Sequence, residues 1–297
     1  MAQTLAPITL GASSLGDRTS GAEAEALADA LVASEFGQVD TSNKYAKGAS
    51  ETELGKAVRR ANGLPEGTVI FSKVDEDPQT RAFDGDRVKR SLEESLERLG
   101  LDHLPVLHLH DPYSITVSEA MAPGGAVEAL TSLRDQGVVD AIGIAAGPVD
   151  LMLEYVRTDA FDAVLSHNHY TLVDRAGSAI FEAAHERNMT IFNAAPFGGG
   201  MLAGSERAAG TYAYREASAE VMAYVEKLRA LADEWNLPLA AAALHFSLRN
   251  PIVHSTVVGI SSLERLEELR RLRDTTVPDG FFSAVDELGA VPSSGND

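Results

Sequence analysis

The stretch GQVDTSNKY (residues 37–45) reads as a short buried strand that ends on an acid, Asp40, and is followed five residues later by a phenol, Tyr45. Two further stretches have the same form. TVIFSKVD (68–75) closes its apolar run on Lys73, and PVLHLHDPY (105–113) closes on His110. Separate strands that carry an acid, a phenol, a lysine and an imidazole to their C-terminal ends are how a (β/α)8 barrel assembles a site, because its βα loops gather at one face.

Working outward, short β-rich runs alternate with amphipathic runs of helical length. The pattern predicts strands near 7–11, 37–40, 68–73, 104–110, 139–144, 162–168, 189–194 and 254–259. Helices are expected near 22–34, 50–60, 85–99, 118–136, 148–157, 174–187, 219–235, 239–248 and 262–272. Such alternation implies parallel strands with crossover helices. Eight strands suit a closed α/β barrel of one domain spanning 1–297, with a doubly wound open sheet as the alternative. Ser50 and Ser261 or Ser262 are expected as helix caps, and Gly100 and Gly137 as C-terminal glycines. The stretch 197–218 reads as a long irregular loop, 274–297 as a further loop, and the last seven residues as a polar, frayed tail.

Composition narrows the classes. A formal charge of −19 argues against a nucleic-acid or anionic-membrane surface. Cys is absent, which rules out disulfides and thiolate metal sites and fits a reducing cytoplasm. The N-terminal residues lack the basic-then-apolar order of a signal peptide, and no apolar run is long enough to cross a bilayer. Oligomeric state is not readable.

The four strand-end groups suit proton transfer. Tyr is a poor acid or base near neutrality, its ordinary pKa being about 10. A neighbouring ammonium favours the phenolate, a carboxylate beside the Lys holds the ammonium in place, and an imidazole can hydrogen-bond a substrate oxygen. With a hydride carrier this becomes carbonyl reduction or alcohol oxidation. Two histidine pairs, His108/His110 and His167/His169, each fall on one strand face and keep a metal hydrolase as a minor alternative.

The string Asp40-Thr41-Ser42-Asn43-Lys44-Tyr45, followed by Gly48 and Ser50-Glu51, resembles the signature of the aldo-keto reductase superfamily. Phe71-Ser72-Lys73 resembles its strand-end lysine, and Leu99-Gly100-Leu101-Asp102 with Leu109-His110-Asp111-Pro112 resembles its Leu-Gly-x-Asp…His-x-Pro segment. The likeness covers nearly the whole chain. It implies a (β/α)8 barrel, a nicotinamide cofactor bound without a Rossmann domain, and no metal. It also implies Tyr45 as general acid/base, Lys73 tuning it, Asp40 pairing with Lys73, and His110 orienting the substrate.

By the same resemblance, a cofactor site draws on His167 and Asn168 after the sixth strand and on Asn193, Phe197, Gly198, Gly199, Gly200 and Met201 after the seventh. Gly259, Ser261, Arg265 and Glu268 follow the eighth. Three features depart from the family pattern. The fifth strand ends Gly143-Ile144-Ala145-Ala146-Gly147 where Ser-Asn is usual, the stacking Tyr after the seventh strand is absent, and Gly259 stands where NADP-dependent relatives often carry Lys. One cation, Arg265, in place of two favours NAD over NADP, with NADP still open. The strings at 110–112, 167–174 and 193–197 look most like the branch that holds aldose 1-dehydrogenases and pyridoxal 4-dehydrogenases, which implies oxidation of a sugar or pyridoxal hemiacetal to a lactone. A broad NADPH-dependent carbonyl reductase and a cofactor-sensing barrel subunit are the alternatives. Asp111, Tyr113, Tyr212 and Tyr214 are candidates to hydrogen-bond a polyol.

Overall fold

A computed structural model of the chain describes residues 5–213 and 215–295, apart from the Arg207 side chain. Eight strands are each parallel to their neighbours: β1 (Ile8–Gly11), β2 (Gln38–Asp40), β3 (Val69–Val74), β4 (Leu104–His110), β5 (Val139–Ala146), β6 (Ala163–His167), β7 (Thr190–Ala194) and β8 (Ser255–Gly259). They pair in sequence order, and β8 returns to β1 in the register Ile8↔Thr256 to Gly11↔Gly259, so the sheet is a closed barrel. The helices are α1 (Gly21–Val32), α2 (Ala49–Arg60), α3 (Gly85–Leu99), α4 (Val117–Met121), α5 (Ala126–Asp135), α6 (Val149–Val156), α7 (Ser178–His185), α8 (Ala219–Glu234), α9 (Leu239–Leu248), α10 (Leu263–Asp274) and α11 (Asp279–Glu287). None of them is long and apolar enough to cross a membrane.

Side-chain alternation along the strands makes two cores. Outward residues such as Leu10, Val39, Ile70, Leu107, Ile142, Val164, Ile191 and Val258 join the inner faces of the helices in one buried cluster. Inward residues Phe71, Val106, Ala141, Ala145, Leu165, Phe192 and Val257 fill the barrel. Lys73, His108 and His110 continue that inward face, so the strands that build the core also aim the site.

Several expectations change. The helix expected over 118–136 is broken into α4 and α5, because Pro123-Gly124-Gly125 cannot continue it and Thr116 and Glu119 form a capping box for the first piece. Ser50 caps nothing. Its hydroxyl is buried, donates to the Ala12 carbonyl and meets Thr41 Oγ1, while Gly48 is the N-cap of α2. Ser262 does cap α10, accepting from the Arg265 N–H. Gly100 ends α3 at φ 70°. The stretch 197–218 is not irregular throughout. It holds two 3-10 turns and a small antiparallel ribbon, Thr211–Tyr212 with Arg215–Glu216. The expected 274–297 loop contains α11, whose Phe281, Phe282 and Val285 bury against α8 and α9. The tail is held at Ser294, whose hydroxyl donates to Asp174, while 296–297 lie outside the described residues.

Gly55 decides how closely α2 approaches α3: a Cβ there would lie 1.9 Å from the Arg98 carbonyl oxygen. Gly→Ala inside a helix ordinarily gains up to about 1 kcal/mol. Here the backbone clash reverses the sign, and Gly55→Ala is expected to destabilise by about 1–3 kcal/mol. Chemical denaturation checks this against Lys56→Ala, an exposed neighbour expected to change stability by less than about 0.5 kcal/mol.

Candidate active site

β2 and β3 bring three of the sequence-predicted groups together. The Lys73 ammonium, on a side chain only 1% exposed, donates to Asp40 Oδ2 at 2.7 Å and the Thr41 carbonyl at 2.7 Å. It lies 3.3 Å from Tyr45 Oη and 4.7 Å from the centre of the Tyr45 ring. Tyr45 enters from a tight turn in which Ala46 and Lys47 take φ of 50° and 56°. His110 meets the Tyr45 ring edge-on, with centroids 5.5 Å apart. Asp40, Tyr45, Lys73 and His110 therefore form one cluster at the C-terminal mouth of the barrel. Asp111, Asn168 and Ala195 turn the chain at the ends of β4, β6 and β7 with φ of 44°, 64° and 57°. Left-handed backbone at non-glycine residues is costly and tends to gather at functional sites.

Behind the cluster lies a polar network that sequence reading missed. Asp75 Oδ1 lies 2.8 Å from His110 Nδ1, and Asp75 Oδ2 accepts from Ser42 Oγ at 2.5 Å and from the Lys44 N–H at 3.0 Å. Burial alone would raise the Asp75 carboxyl, but His110, Lys44 and Ser42 outweigh it and hold the group below its ordinary value. The signal was present: Asp75 lies two residues past Lys73, on the same strand face. Arg87, itself buried, ties this layer to α3 by donating to the Asp75 carbonyl, Asn43 Oδ1 and Glu94. Glu51 accepts from Ser72 and pairs with Arg98, yet burial pushes its carboxyl up despite both.

At the mouth, Asp111 Oδ2 accepts from Lys44 Nζ at 2.8 Å and lies 3.7 Å from His110 Nε2. Burial opposes its ionisation, but His110 and Lys44 bring its pKa down to about 2. Tyr113 donates to Asp111 Oδ1 and accepts from the Gly147 N–H. His167 faces this group, and burial takes its pKa down to about 4. Its ring needs Gly147, where a Cβ would lie 2.9 Å from Cε1. His108, one layer deeper, is fully buried and its pKa falls well below the ordinary range, chiefly from burial, then from Lys73 and His110. Its ring occupies the space that a Cβ on Gly143 would need, at 2.2 Å from Nδ1. His169 does not join His167. It turns toward Asp174, with Nδ1 and Oδ2 3.4 Å apart.

A separate cleft of about 1360 Å³ runs over the ends of β7, β8 and β1. Phe197, Gly199, Gly200, Gly259, Ser261, Arg265 and Glu268 line it, as expected residues of a cofactor site. Residues 13–19 of the β1–α1 loop also line it in part, and sequence reading missed them. Five expected contacts fall outside this lining. Gly198 is buried beneath the Tyr212 ring, Met201 belongs to the core under α8, and Asn193 points outward, donating to Ser247 Oγ and the Tyr170 carbonyl. His167 and Asn168 lie at the barrel mouth instead, where Asn168 Nδ2 lies 3.1 Å from His167 Nδ1. Of the polyol candidates, Tyr212 is buried on the Asn168 carbonyl and Thr171, and Tyr214 lies outside the described residues.

The cleft fits an elongated dinucleotide. A Cβ on Gly259 would meet nothing within 4 Å, so the glycine leaves that wall open. Gly199 and Gly200, at φ of 73° and 110°, bring backbone to the cleft wall, as anion-binding turns do. Asn168 Oδ1 is a buried acceptor with no hydrogen-bond partner among the described residues, suited to an amide N–H. Arg265 pairs with Glu268 across one helical turn.

Comparison with known proteins agrees with this architecture. The model of the Aldo/keto reductase family matches residues 7–290. Pyridoxal 4-dehydrogenase of Microbacterium luteolum is 27% identical, over 97% of this chain and 95% of its own. D-threo-aldose 1-dehydrogenase of Pseudomonas sp. is 33% identical over 69% of this chain and 63% of its own. L-galactose dehydrogenase of Arabidopsis thaliana is 28% identical over 77% and 71%. Among solved structures, the holo form of an aldo-keto reductase from Bacillus halodurans superposes with a TM-score of 0.77 at 20% identity, over 96% of this chain and 93% of its own. A closed parallel barrel matched by the family model over almost its whole length makes the chain a member of the aldo/keto reductase family.

Proposed function

We propose that the chain is an NAD-dependent dehydrogenase that oxidises a hydroxyl-bearing carbon, most suitably the hemiacetal carbon of a sugar or a pyridoxal-like substrate, to a lactone. The observation that carries this reading is the buried Lys73 ammonium shared between Asp40 Oδ2 and Tyr45 Oη. It is a device for holding charge beside a phenol, and a phenol so placed can exchange a proton with a substrate oxygen. Bound nicotinamide would supply the hydride acceptor at the neighbouring cleft.

The chain's own groups then have distinct tasks. Tyr45, as phenolate, takes the hydroxyl proton while the carbon loses its hydride and the C–O bond becomes C=O. Lys73 stabilises the phenolate, Asp40 fixes Lys73, and His110 orients the substrate through Nε2. Asp111, beside Nε2, is placed to accept a hydrogen bond from a second substrate hydroxyl or ring N–H. The cofactor would be held by Gly199, Gly200, Phe197, Gly259, Ser261, Arg265 and Glu268, with Asn168 and His167 toward the amide end.

Support for NAD comes from charge. A 2′-phosphate needs cations. Arg265 is already engaged by Glu268, while Asp17, Glu23, Glu206 and Glu264 also line the cleft alongside Arg18. Support for the hydroxyl substrate comes from relatives bearing the names pyridoxal 4-dehydrogenase and D-threo-aldose 1-dehydrogenase. The absence of Cys suits work in a reducing cytoplasm.

The direct test is A340 of purified protein with NAD and with NADP against a panel of sugars and pyridoxal. Growth with NAD and one hemiacetal is expected. NADPH consumption with simple aldehydes and no oxidation of the panel would overturn the reading in favour of a reductase. Tyr45→Phe is expected to lose about 10²–10⁴-fold in turnover while cofactor affinity, read by fluorescence titration, stays within about twofold. Glu268→Ala is expected to release Arg265 and improve the NADP constant about tenfold, since one charge-assisted contact is worth about 1.5 kcal/mol. An unchanged NAD/NADP ratio in that variant would show that the pair does not set the preference.

A further inference from the structure

The environment of His110 assigns its protons. Its Nδ1 faces two oxygens, Asp75 Oδ1 at 2.8 Å and Ser42 Oγ at 3.0 Å. The Ser42 hydroxyl spends its hydrogen on Asp75 Oδ2. The Asp75 carboxylate also accepts the Lys44 N–H and has the Lys44 ammonium 3.6 Å away, which keeps it ionised and without a proton to give. Both oxygens therefore meet Nδ1 as acceptors, so Nδ1 carries the hydrogen. The main chain of Asp75 is held as well. Its backbone N–H donates to Ser91 Oγ, and its carbonyl accepts from buried Arg87.

We propose that Asp75 is a positioning residue for His110: with Ser42 it fixes the imidazole as the Nδ1–H tautomer, so that Nε2 presents a lone pair to the site and accepts the hydrogen bond of a substrate hydroxyl next to the reacting one, whose own hydrogen goes to Tyr45. The arrangement thus favours a substrate that carries a second hydroxyl beside the reacting carbon, as a sugar hemiacetal does. For the identity of the substrate this rests on the dehydrogenase reading above. For the tautomer it rests on the geometry alone.

Asp75→Asn makes a sharp prediction. Two donors, Ser42 Oγ–H and the Lys44 N–H, face the Oδ2 position, so the amide of Asn seats its oxygen there. Its NH₂ then points at His110 Nδ1, which must become an acceptor, and the hydrogen moves to Nε2. The hydroxyl substrate loses its acceptor, and kcat/KM for it is expected to fall about 10–100-fold, the size of one buried hydrogen bond lost.

The test is ¹⁵N NMR of the histidine rings in the full chain, with His110 assigned by the signal missing from His110→Gln. The wild type is expected to show Nδ1–H with a bare Nε2, and Asp75→Asn is expected to show Nε2–H. Nε2–H in the wild type, or both nitrogens protonated throughout the stable pH range, would overturn the proposal. So would an unchanged tautomer in a folded Asp75→Asn. If that variant does not fold, the wild-type spectrum decides alone. Turnover on the hemiacetal panel is read separately, so a protein with the expected tautomer but no dehydrogenase activity would sink the functional reading and leave this one standing.

Discussion

The site depends on one buried ion pair. Lys73 and Asp40 side chains are 1% and 6% exposed. Removing such charges from water costs several kcal/mol per ion, and a buried pair regains this only with good geometry and further hydrogen bonds. Lys73 has three acceptors within reach: Asp40 Oδ2, the Thr41 carbonyl and Tyr45 Oη. All three come from β2 and the turn that follows it, while the ammonium comes from β3. The β2–β3 register, Asp40 opposite Phe71, places the lysine two residues further along, on the same inward face. Asp40 Oδ1 remains buried without a partner among the described residues. A pair built only for stability would not leave that atom unsatisfied, and replacing it with apolar side chains would be the cheaper solution. Its use is to hold a cation beside a phenol.

That constraint explains signature residues that touch no reacting atom. The turn carrying Tyr45 must be held from behind, and α2 and α3 do this through charge. Arg98 donates to the Asn43 carbonyl and to Glu51, Arg87 donates to Asn43 Oδ1, and Glu51 accepts from Ser72 on β3. Gly48 follows for a steric reason: a Cβ there would lie 2.5 Å from the Arg98 guanidinium carbon, and its φ of 87° is one that side chains avoid. Gly55 allows the same close approach of the two helices. The Asp-Thr…Tyr…Gly…Glu spacing is thus the footprint of one ionic network as much as of a reaction.

Sequence patterning made the barrel and the four strand-end groups legible, because burial imposes a period of two on each strand and the polar interruptions stood out against it. Three kinds of information lay outside that pattern. Helix α11 is short and starts on Pro278 without a hydroxyl or carboxyl cap, so Phe281, Phe282 and Val285 read as loop residues until α8 and α9 gave them a surface. Asn193 looked like a strand-end donor, but its place in the alternation sends it outward to Ser247. Gly198 in the glycine run answers to the Tyr212 ring rather than to a ligand. Asp75 was missed for the opposite reason. It sits just past a strand end, where acids are common, and only its distance to His110 separates it from a turn residue.

The tetrad and the large cleft do not share lining residues, yet they surround the same mouth. What lies between them is small. Ala145, Ala194 and Gly259 occupy the inward positions at the ends of β5, β7 and β8, where a barrel interior is usually filled by bulky branched side chains. Gly143 and Gly147 are smaller still, but their space is already taken by the rings of His108 and His167. A wide groove and a narrow, charged recess thus share one end of the barrel, and the inward side chains that separate them are the small ones.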